Sequence, residues 1–475
     1  MSATQTEKIF SWILSLELKY PVEEWTINEV HIWPVLRNGI YTELWLSEWS
    51  STKGKSISSA KARQQKKTTS KPSWLHSLSY HAKGLLRFLK FYFTPLKKSN
   101  VLFSCNTHYR ATFKNQEYNK FFDPLRNDFP QYKNAYITKF GKVRGNELKD
   151  SIQLSRFAYI QSVYLRMLRR KNLQVSMTEF DAFYQEISIY SERLKRFNLN
   201  FIHEAYYSIK KSAFVYRILL KKTRAKEAIG LCYYEDSNEN LGMNLAAYEL
   251  GIRSVDMQHG GQGAIHRAYA RFQKLPASGQ YEILPKRFWC WENNSADEIN
   301  KWAAQPGCRH EVIVGGNPWL SYVKRHTDAT SSNDKIVLYT LQPYEELMRP
   351  AVIECIPLLG SEYQWIIRLH PRMQSRAEEL KALISSHQLE NFIHPETFGQ
   401  LTLPETLAMS CVHVCRTSGS IIEAVLMDVP SVIVDYDGVQ MYDYWILHDK
   451  AVDATSKTPS EIAELIRSLS HKKLA

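Results

Sequence analysis

Cys411-Val-His-Val-Cys-Arg-Thr-Ser-Gly-Ser-Ile-Ile-Glu-Ala-Val-Leu-Met-Asp-Val-Pro-Ser-Val-Ile-Val434 is the stretch on which the reading of this chain turns. Val412 and Val414 alternate as in a strand over 411–415, and 431–434 predicts a second strand. Between them, Ile421, Ile422, Ala424 and Val425 form the apolar face of a helix. Strands joined through a helix run parallel. Arg416-Thr-Ser-Gly-Ser420 therefore lies at the carboxyl end of a strand, where open α/β sheets bind ligands. Free backbone N–H groups and a helix dipole predict an anion site there. Thr417, Ser418 and Ser420 add hydroxyl donors, and Glu423, one turn in, would accept from ribose hydroxyls. The plainer alternative is a Ser cap followed by a first-turn carboxylate.

Working outward, the same alternation recurs. Strand-like runs stand at 288–291, 312–314, 335–340 and 365–369, most separated by helix-length segments. Upstream, 100–105, 135–138, 228–234 and 254–257 read as strands, 238–250 as a helix and 151–224 as a long helical run. The fold class expected is α/β: two Rossmann-like, doubly wound domains facing a cleft, with an N-terminal helical extension. The expected division is 1–99 for the extension, 100–280 for an acceptor domain and 281–475 for a donor domain.

Two further loops carry chemistry at strand ends. His370 follows Trp365-Ile-Ile-Arg-Leu and precedes Pro371, so its imidazole stands at a strand tip with Arg368 and Arg372 supplying charge. It reads as a phosphate ligand or as an ordinary turn. Gln258-His-Gly-Gly-Gln-Gly263 places His259 in a turn where Gly260 and Gly261 allow close backbone approach, with His266 and Arg267 following. It matches neither a P-loop nor a G-x-G-x-x-G fingerprint. Glu235 and Asp236 end a strand and suit a general base, or else cap the helix at 238. Asp435-Tyr-Asp437 superficially resembles a metal clamp but lies downstream of the helix site, where a clamp is not expected.

Composition narrows the partners. The 475 residues carry 61 Lys and Arg against 48 Asp and Glu, a net charge of +13. Such an excess implies an anionic partner: phosphorylated substrate, membrane surface or nucleic acid. Much of it is local, since 51–72 holds Lys53, Lys55, Lys61, Arg63, Lys66, Lys67 and Lys71 without an acid and predicts a mobile loop. The aromatic, cationic 74–98 reads as an interfacial helix or as one packed on the first domain. Seven scattered cysteines read as small buried hydrophobes; Cys411, His413 and Cys415 lack the second ligand pair of a metal site. No run reaches membrane-spanning length and the start does not read as a signal peptide, so a cytoplasmic protein is expected. Nucleic-acid modules are not recognisable, so nucleic acid is not the expected partner.

Together, Gln258-His-Gly260, Arg368-Leu-His-Pro-Arg372 and Thr417-Ser-Gly-Ser-Ile-Ile-Glu423 through Val434 resemble bacterial surface-polysaccharide glycosyltransferases of the GT-B class. The nearest groups are Kdo transferases of capsule biosynthesis and sialyltransferases that use CMP-sugars. The likeness spans about 228–440, and Ile32-Trp-Pro-Val-Leu-Arg37 resembles an N-terminal phrase of such proteins. The resemblance implies that His370 with Thr417 and Ser418 holds a CMP phosphate and that Glu235-Asp236 provides the base. Here Ser237 follows the two acids where that motif has glycine. The layout is also similar to teichoic-acid polymerases using CDP-glycerol, in which a His-Gly loop supplies the base; His259 would take that role. The implied reaction needs no metal or other cofactor. Its partners are a nucleotide-sugar donor, a glycan or lipid-linked glycan acceptor and the inner face of the cytoplasmic membrane. The alternative to an enzyme is a basic membrane- or nucleic-acid-binding protein.

Overall fold

The computed structural model describes residues 3–52, 74–106, 109–140, 151–235, 238–264, 266–327 and 335–470. The basic segment over 53–72 and the candidate base Asp236 lie outside the described residues. The chain forms two units, Met1–Tyr109 with Leu125–Gly316, and Arg110–Pro124 with Asn317–Ala475.

The first unit is organised by seven parallel strands: β1 (Val101–Asn106), β2 (Tyr136–Phe140), β3 (Ser151–Gln153), β4 (Glu227–Leu231), β5 (Arg253–Met257), β6 (Arg287–Cys290) and β7 (Glu311–Val314). Their order is β3-β2-β1-β4-β5-β6-β7. The chain thus winds outward from β1 in one direction and from β4 in the other, which leaves a switch point between those two strands. The division of the chain falls after Gly316 rather than near 280, because β6 and β7 hydrogen-bond into this sheet.

The N-terminal residues are built into this unit. Helices Ala3–Lys19 and Trp33–Thr52 flank a small hairpin, Thr26–Ile27 with Val30–His31, to which Val175–Ser176 adds a third strand. Trp25 and Trp33 are fully buried against each other and against Phe183, with Trp25 and Phe183 ring centroids 4.9 Å apart. Large aromatics bury too much area to remain an appendage. The region read as one helical run over 151–224 is β3 followed by helices Ala158–Leu168, Phe180–Tyr190 and Leu199–Thr223.

The second unit holds β8 (Lys335–Thr340), β9 (Tyr363–Arg368), β10 (Ser410–Cys415), β11 (Ser431–Ile433) and β12 (Ala451–Asp453), parallel and ordered β9-β8-β10-β11-β12. Strand periodicity separates two cores on its two faces. Val337, Tyr339, Trp365, Ile367, Val412 and Val414 enter one, with Val352, Ile356, Ile462 and Ile466 from helices. Ile336, Leu338 and Ile366 enter the other, with Leu320, Leu407 and Ala424. Burial on both faces explains why these strands read as continuous apolar runs. Both units are therefore doubly wound, the fold class expected.

A hairpin missed in the sequence, Arg110–Phe113 with Gln116–Asn119, belongs to the second unit. Lys114 and Asn115 turn it at positive φ, 46° and 61°, as a two-residue hairpin loop requires. Its Phe113 and Tyr118 pack on Trp319 and Tyr322.

Candidate functional site

In the second unit the switch point lies between β8 and β10, and loops leave the carboxyl ends of these two strands and of β9, the edge strand beside β8. The loop after β8 carries Gln342 and Tyr344, residues not singled out in the sequence. Gln342 Oε1 accepts the Thr417 N–H at 2.8 Å and its hydroxyl at 3.3 Å. Tyr344 and Thr417 hydroxyls meet at 2.7 Å, and the Tyr442 hydroxyl donates to the Thr417 carbonyl. Thr417 is thus an internal strut that fixes the loop. A glutamine just past a strand, before Pro343, was the available signal for this contact.

Arg416 is held as firmly. Its guanidinium pairs with Asp435 at 2.9 Å and Glu346 at 3.3 Å, and stacks on Tyr344 at 3.8 Å. Asp435 also caps the helix Tyr436–Met441, whose Gly438 approaches the Arg416 carbonyl so closely that a Cβ would lie 1.9 Å from it. Asp435 is therefore an ion-pair and capping residue. Among the described residues no group of three or more His, Cys, Asp or Glu is placed to hold a metal.

Ser420 is buried, and its hydroxyl lies 2.7 Å from Ser418 Oγ, 2.8 Å from Thr340 Oγ1 and 3.2 Å from His413 Nε2. His413, whose Nδ1 meets Ser431 Oγ at 3.0 Å, is pushed down to about 3 by burial and stays neutral. His413 and Ser420 thus form a hydroxyl–imidazole network beneath the loop. Cys411 Sγ contacts the Ile336 carbonyl and Cys415 is buried, so these residues act as small core side chains. In the helix Ser420–Leu426, the Ile421 and Ile422 N–H groups bond back to Ser418 and Gly419. Gly419 is exposed, with open space where a side chain would stand.

The loop after β9 presents His370. Its Nδ1 accepts the Arg372 N–H at 3.1 Å, which assigns the hydrogen of the neutral ring to Nε2. Burial, then the charge of Arg372, lowers its pKa, so the ring is a neutral donor at pH 7. Arg372 is exposed. Arg368 is half-buried, donates to the Leu401 carbonyl at 2.8 Å and is surrounded by Glu396, Glu423 and Glu405, so its charge is largely answered within the unit. Burial raises the Glu423 carboxyl, while Lys120 and Arg368 oppose that shift. Lys120, contributed by the inserted segment, is a cation that no local sequence pattern places here.

In the first unit the corresponding ends are those of β1, β4 and β5. Asp256 at the end of β5 is buried; Oδ1 accepts the Tyr233 N–H at 3.0 Å and Oδ2 the Tyr269 hydroxyl at 2.7 Å. Burial pushes its carboxyl up to about 7. Gln258 is fully buried and committed: it accepts from Trp291 N at 2.6 Å and donates to the Gly260 carbonyl at 2.8 Å and Ser295 Oγ at 3.0 Å. It locks the base of the loop bearing His259, whose ring faces Tyr109 and Tyr234 at 6.0 and 6.1 Å between centroids. Side chains built at Gly260 and Gly263 would meet nothing within 4 Å, so the loop borders open space. Gly261 is exposed on the same loop. Half-buried His266 bonds Tyr234 at 3.2 Å, and loss of solvent around its ring holds it neutral.

Glu235 lies in the turn after β4, whose Cys232 adopts positive φ, 56°. The turn borders a cavity of about 410 Å³ lined by Asn38, Glu43, Phe197, Tyr234 and Glu235, among others. Arg37 supports this end from the N-terminal helix: it pairs with buried Glu17 at 2.7 Å and donates to the carbonyls of Arg267 and Ala270. The Ile32–Arg37 phrase is thus a brace for the loop that follows His259.

No family model and no curated protein matches the chain. Among solved structures, it is similar to Staphylococcus aureus MnaA determined with UDP, at 10% identity over 78% of this chain and 90% of that one, TM-score 0.41. UDP-GlcNAc 2-epimerase from Methanocaldococcus jannaschii, in complex with UDP-GlcNAc and UDP, aligns at 12% identity over 78% and 93%, TM-score 0.40. The wall teichoic acid polymerase TagF aligns at 10% identity over 85% and 91%, TM-score 0.38.

Proposed function

We propose that this chain is a metal-independent glycosyltransferase that moves a CMP-activated acidic sugar onto a growing bacterial surface glycan. The observation carrying the reading is the carboxyl edge of the second unit's sheet, where His370 and the braced 416–420 loop leave the ends of β9 and β10, the two strands that flank β8. There the donor phosphate would meet the His370 Nε2–H, the Ser418 hydroxyl and the charge of Arg372 and Lys120. Such donors stabilise the charge that grows on a departing phosphate, without a metal. Arg368, Thr417 and Ser420 position this site from beneath, and Glu423 would take the ribose hydroxyls. In the first unit a single general base would deprotonate the acceptor hydroxyl: Asp236 by first preference, otherwise His259 or Glu235. The protein would work on lipid-linked glycans at the inner face of the cytoplasmic membrane.

Calorimetry with CMP, CDP and UDP tests the donor site. Wild type should prefer a cytidine nucleotide, His370→Ala should bind at least about tenfold more weakly, for loss of a hydrogen bond to a charged group, and EDTA should change nothing. Equal affinity in His370→Ala sinks the assignment. For the base, Asp236→Asn, His259→Ala and Glu235→Gln are compared: the true base loses turnover by about a hundredfold or more with nucleotide affinity unchanged. Three fully active variants would refute this role.

A second reading, transfer of glycerol phosphate from CDP-glycerol, is favoured by His259 on its open glycine loop between Tyr109 and Tyr234. Turnover of CDP-glycerol but not CMP-sugars, abolished in His259→Ala, selects it.

A further inference from the structure

From residue 49 to residue 116 the chain contains 14 of its 61 Lys and Arg and none of its 48 Asp and Glu. The remaining 47 cations and 48 acids nearly cancel, so the whole positive excess resides in this stretch. Within it, helix Trp74–Phe93 docks on the first unit by a narrow stripe. Gly84 approaches Tyr159 so closely that a Cβ would lie 2.6 Å from it, and Phe88 and Phe91 pack against Phe157 with centroids 6.4 and 4.9 Å away. The rest of the described helix faces solvent although much of it is apolar. Leu85, Leu86, Leu89, Tyr92 and Phe93 are exposed, Leu86 by 65% and Phe93 by 76%. Lys83, Arg87, Lys90, Lys97 and Lys98 are exposed among them, with no carboxylate between 82 and 98. The neighbouring helix Ala158–Leu168 adds exposed Met167 and Arg166.

We infer that this face is a docking surface for an anionic lipid bilayer. Clustered large apolar side chains on a soluble surface mark a binding site, and apolar groups ringed by cations suit the headgroup region. Two other occupants fit less well. Residues 53–73 offer only Ile57, Ala60 and Ala62 as apolar side chains and are themselves basic, so they have little with which to cover the patch. A second copy would set cations against cations with no acid between them. The inference deepens the membrane part of the proposed function but does not depend on the transfer reaction.

Sedimentation of the full chain with vesicles tests it. The chain should pellet with phosphatidylglycerol-containing vesicles at low salt, not with pure phosphatidylcholine, and high salt should release it. Lys83→Ala/Arg87→Ala/Lys90→Ala should weaken binding by about a hundredfold, and Leu86→Ser/Phe93→Ser by about tenfold or more. Thermal unfolding and nucleotide calorimetry on both variants should match wild type, which separates lipid docking from the donor site. Absence of vesicle binding, binding indifferent to lipid charge, or wild-type binding in both variants overturns the inference. So would binding to DNA or an acidic protein in place of vesicles.

Discussion

Asp256 is an acid taken out of water and left with two donors, the Tyr233 N–H and the Tyr269 hydroxyl, which do not offset its desolvation. Its folded pKa, about 7, lies above the ordinary 3.8, so the folded state binds the extra proton. The stability this contributes at low pH is lost as pH rises from about 4 through 7, on the order of 4 kcal/mol. Asp256→Asn should remove that loss: measured by urea unfolding, the gap between variant and wild type should move in the variant's favour across this window. Parallel curves would show that Asp256 does not titrate there. His413 acts with the opposite sign in the second unit. Burial holds it at about 3, below the ordinary 6.5, so its contribution is present above pH 6.5 and lost as pH falls towards 3.

At the scale of elements, helix Trp33–Thr52 earns its place through one side chain. Arg37 is 1% exposed, sandwiched by Phe10 and Phe272, paired with Glu17 and bonded to backbone carbonyls beyond the His259 loop. Removing one member of a buried pair strands the other charge. Arg37→Met should therefore destabilise the chain by about 3–5 kcal/mol. The double variant Arg37→Met/Glu17→Met should cost less than the two single variants together. Chemical unfolding of the full cycle measures this, and strict additivity would mean that Arg37 acts through its carbonyl contacts alone.

At the scale of the whole molecule, the second unit is assembled from two stretches of chain. Segment Arg110–Pro124 covers Trp319 and Tyr322 with Phe113 and Tyr118. A fragment beginning at Asn317 would expose that aromatic surface; the same fragment joined to 110–124 would not. The lone fragment should be less stable by at least about 1.5–3 kcal/mol, the burial of Phe113 alone. Calorimetric unfolding of both fragments checks it, and equal midpoints would make the hairpin an ornament.

What was legible in the sequence was local. Parallel strands buried on both faces leave unbroken apolar runs, so 335–340 was read to the residue and most other strands within two. The short strands Ser151–Gln153 and Ala451–Asp453, and the polar hairpin 110–119, carry too few apolar residues to announce themselves. The His370 and 416–420 loops were legible because their residue types follow directly from strand ends. Their support was not: Thr340, Gln342 and Tyr344 reach Thr417 and Ser420 only because β8 lies beside β10, with 70 or more residues of chain between. The partners of Thr417, Ser420 and Arg368 were hidden likewise, since the hydrogen bonds of a hydroxyl or a guanidinium come from other segments of the chain. Sequence by itself determined the alternation of strands and helices, the charge excess and the chemistry of the loops, because each is a property of neighbouring residues. Only the tertiary structure decided which of those polar groups are already satisfied and which distant cations and carboxylates surround them, because hydrogen bonds and burial are set by the order in which strands meet.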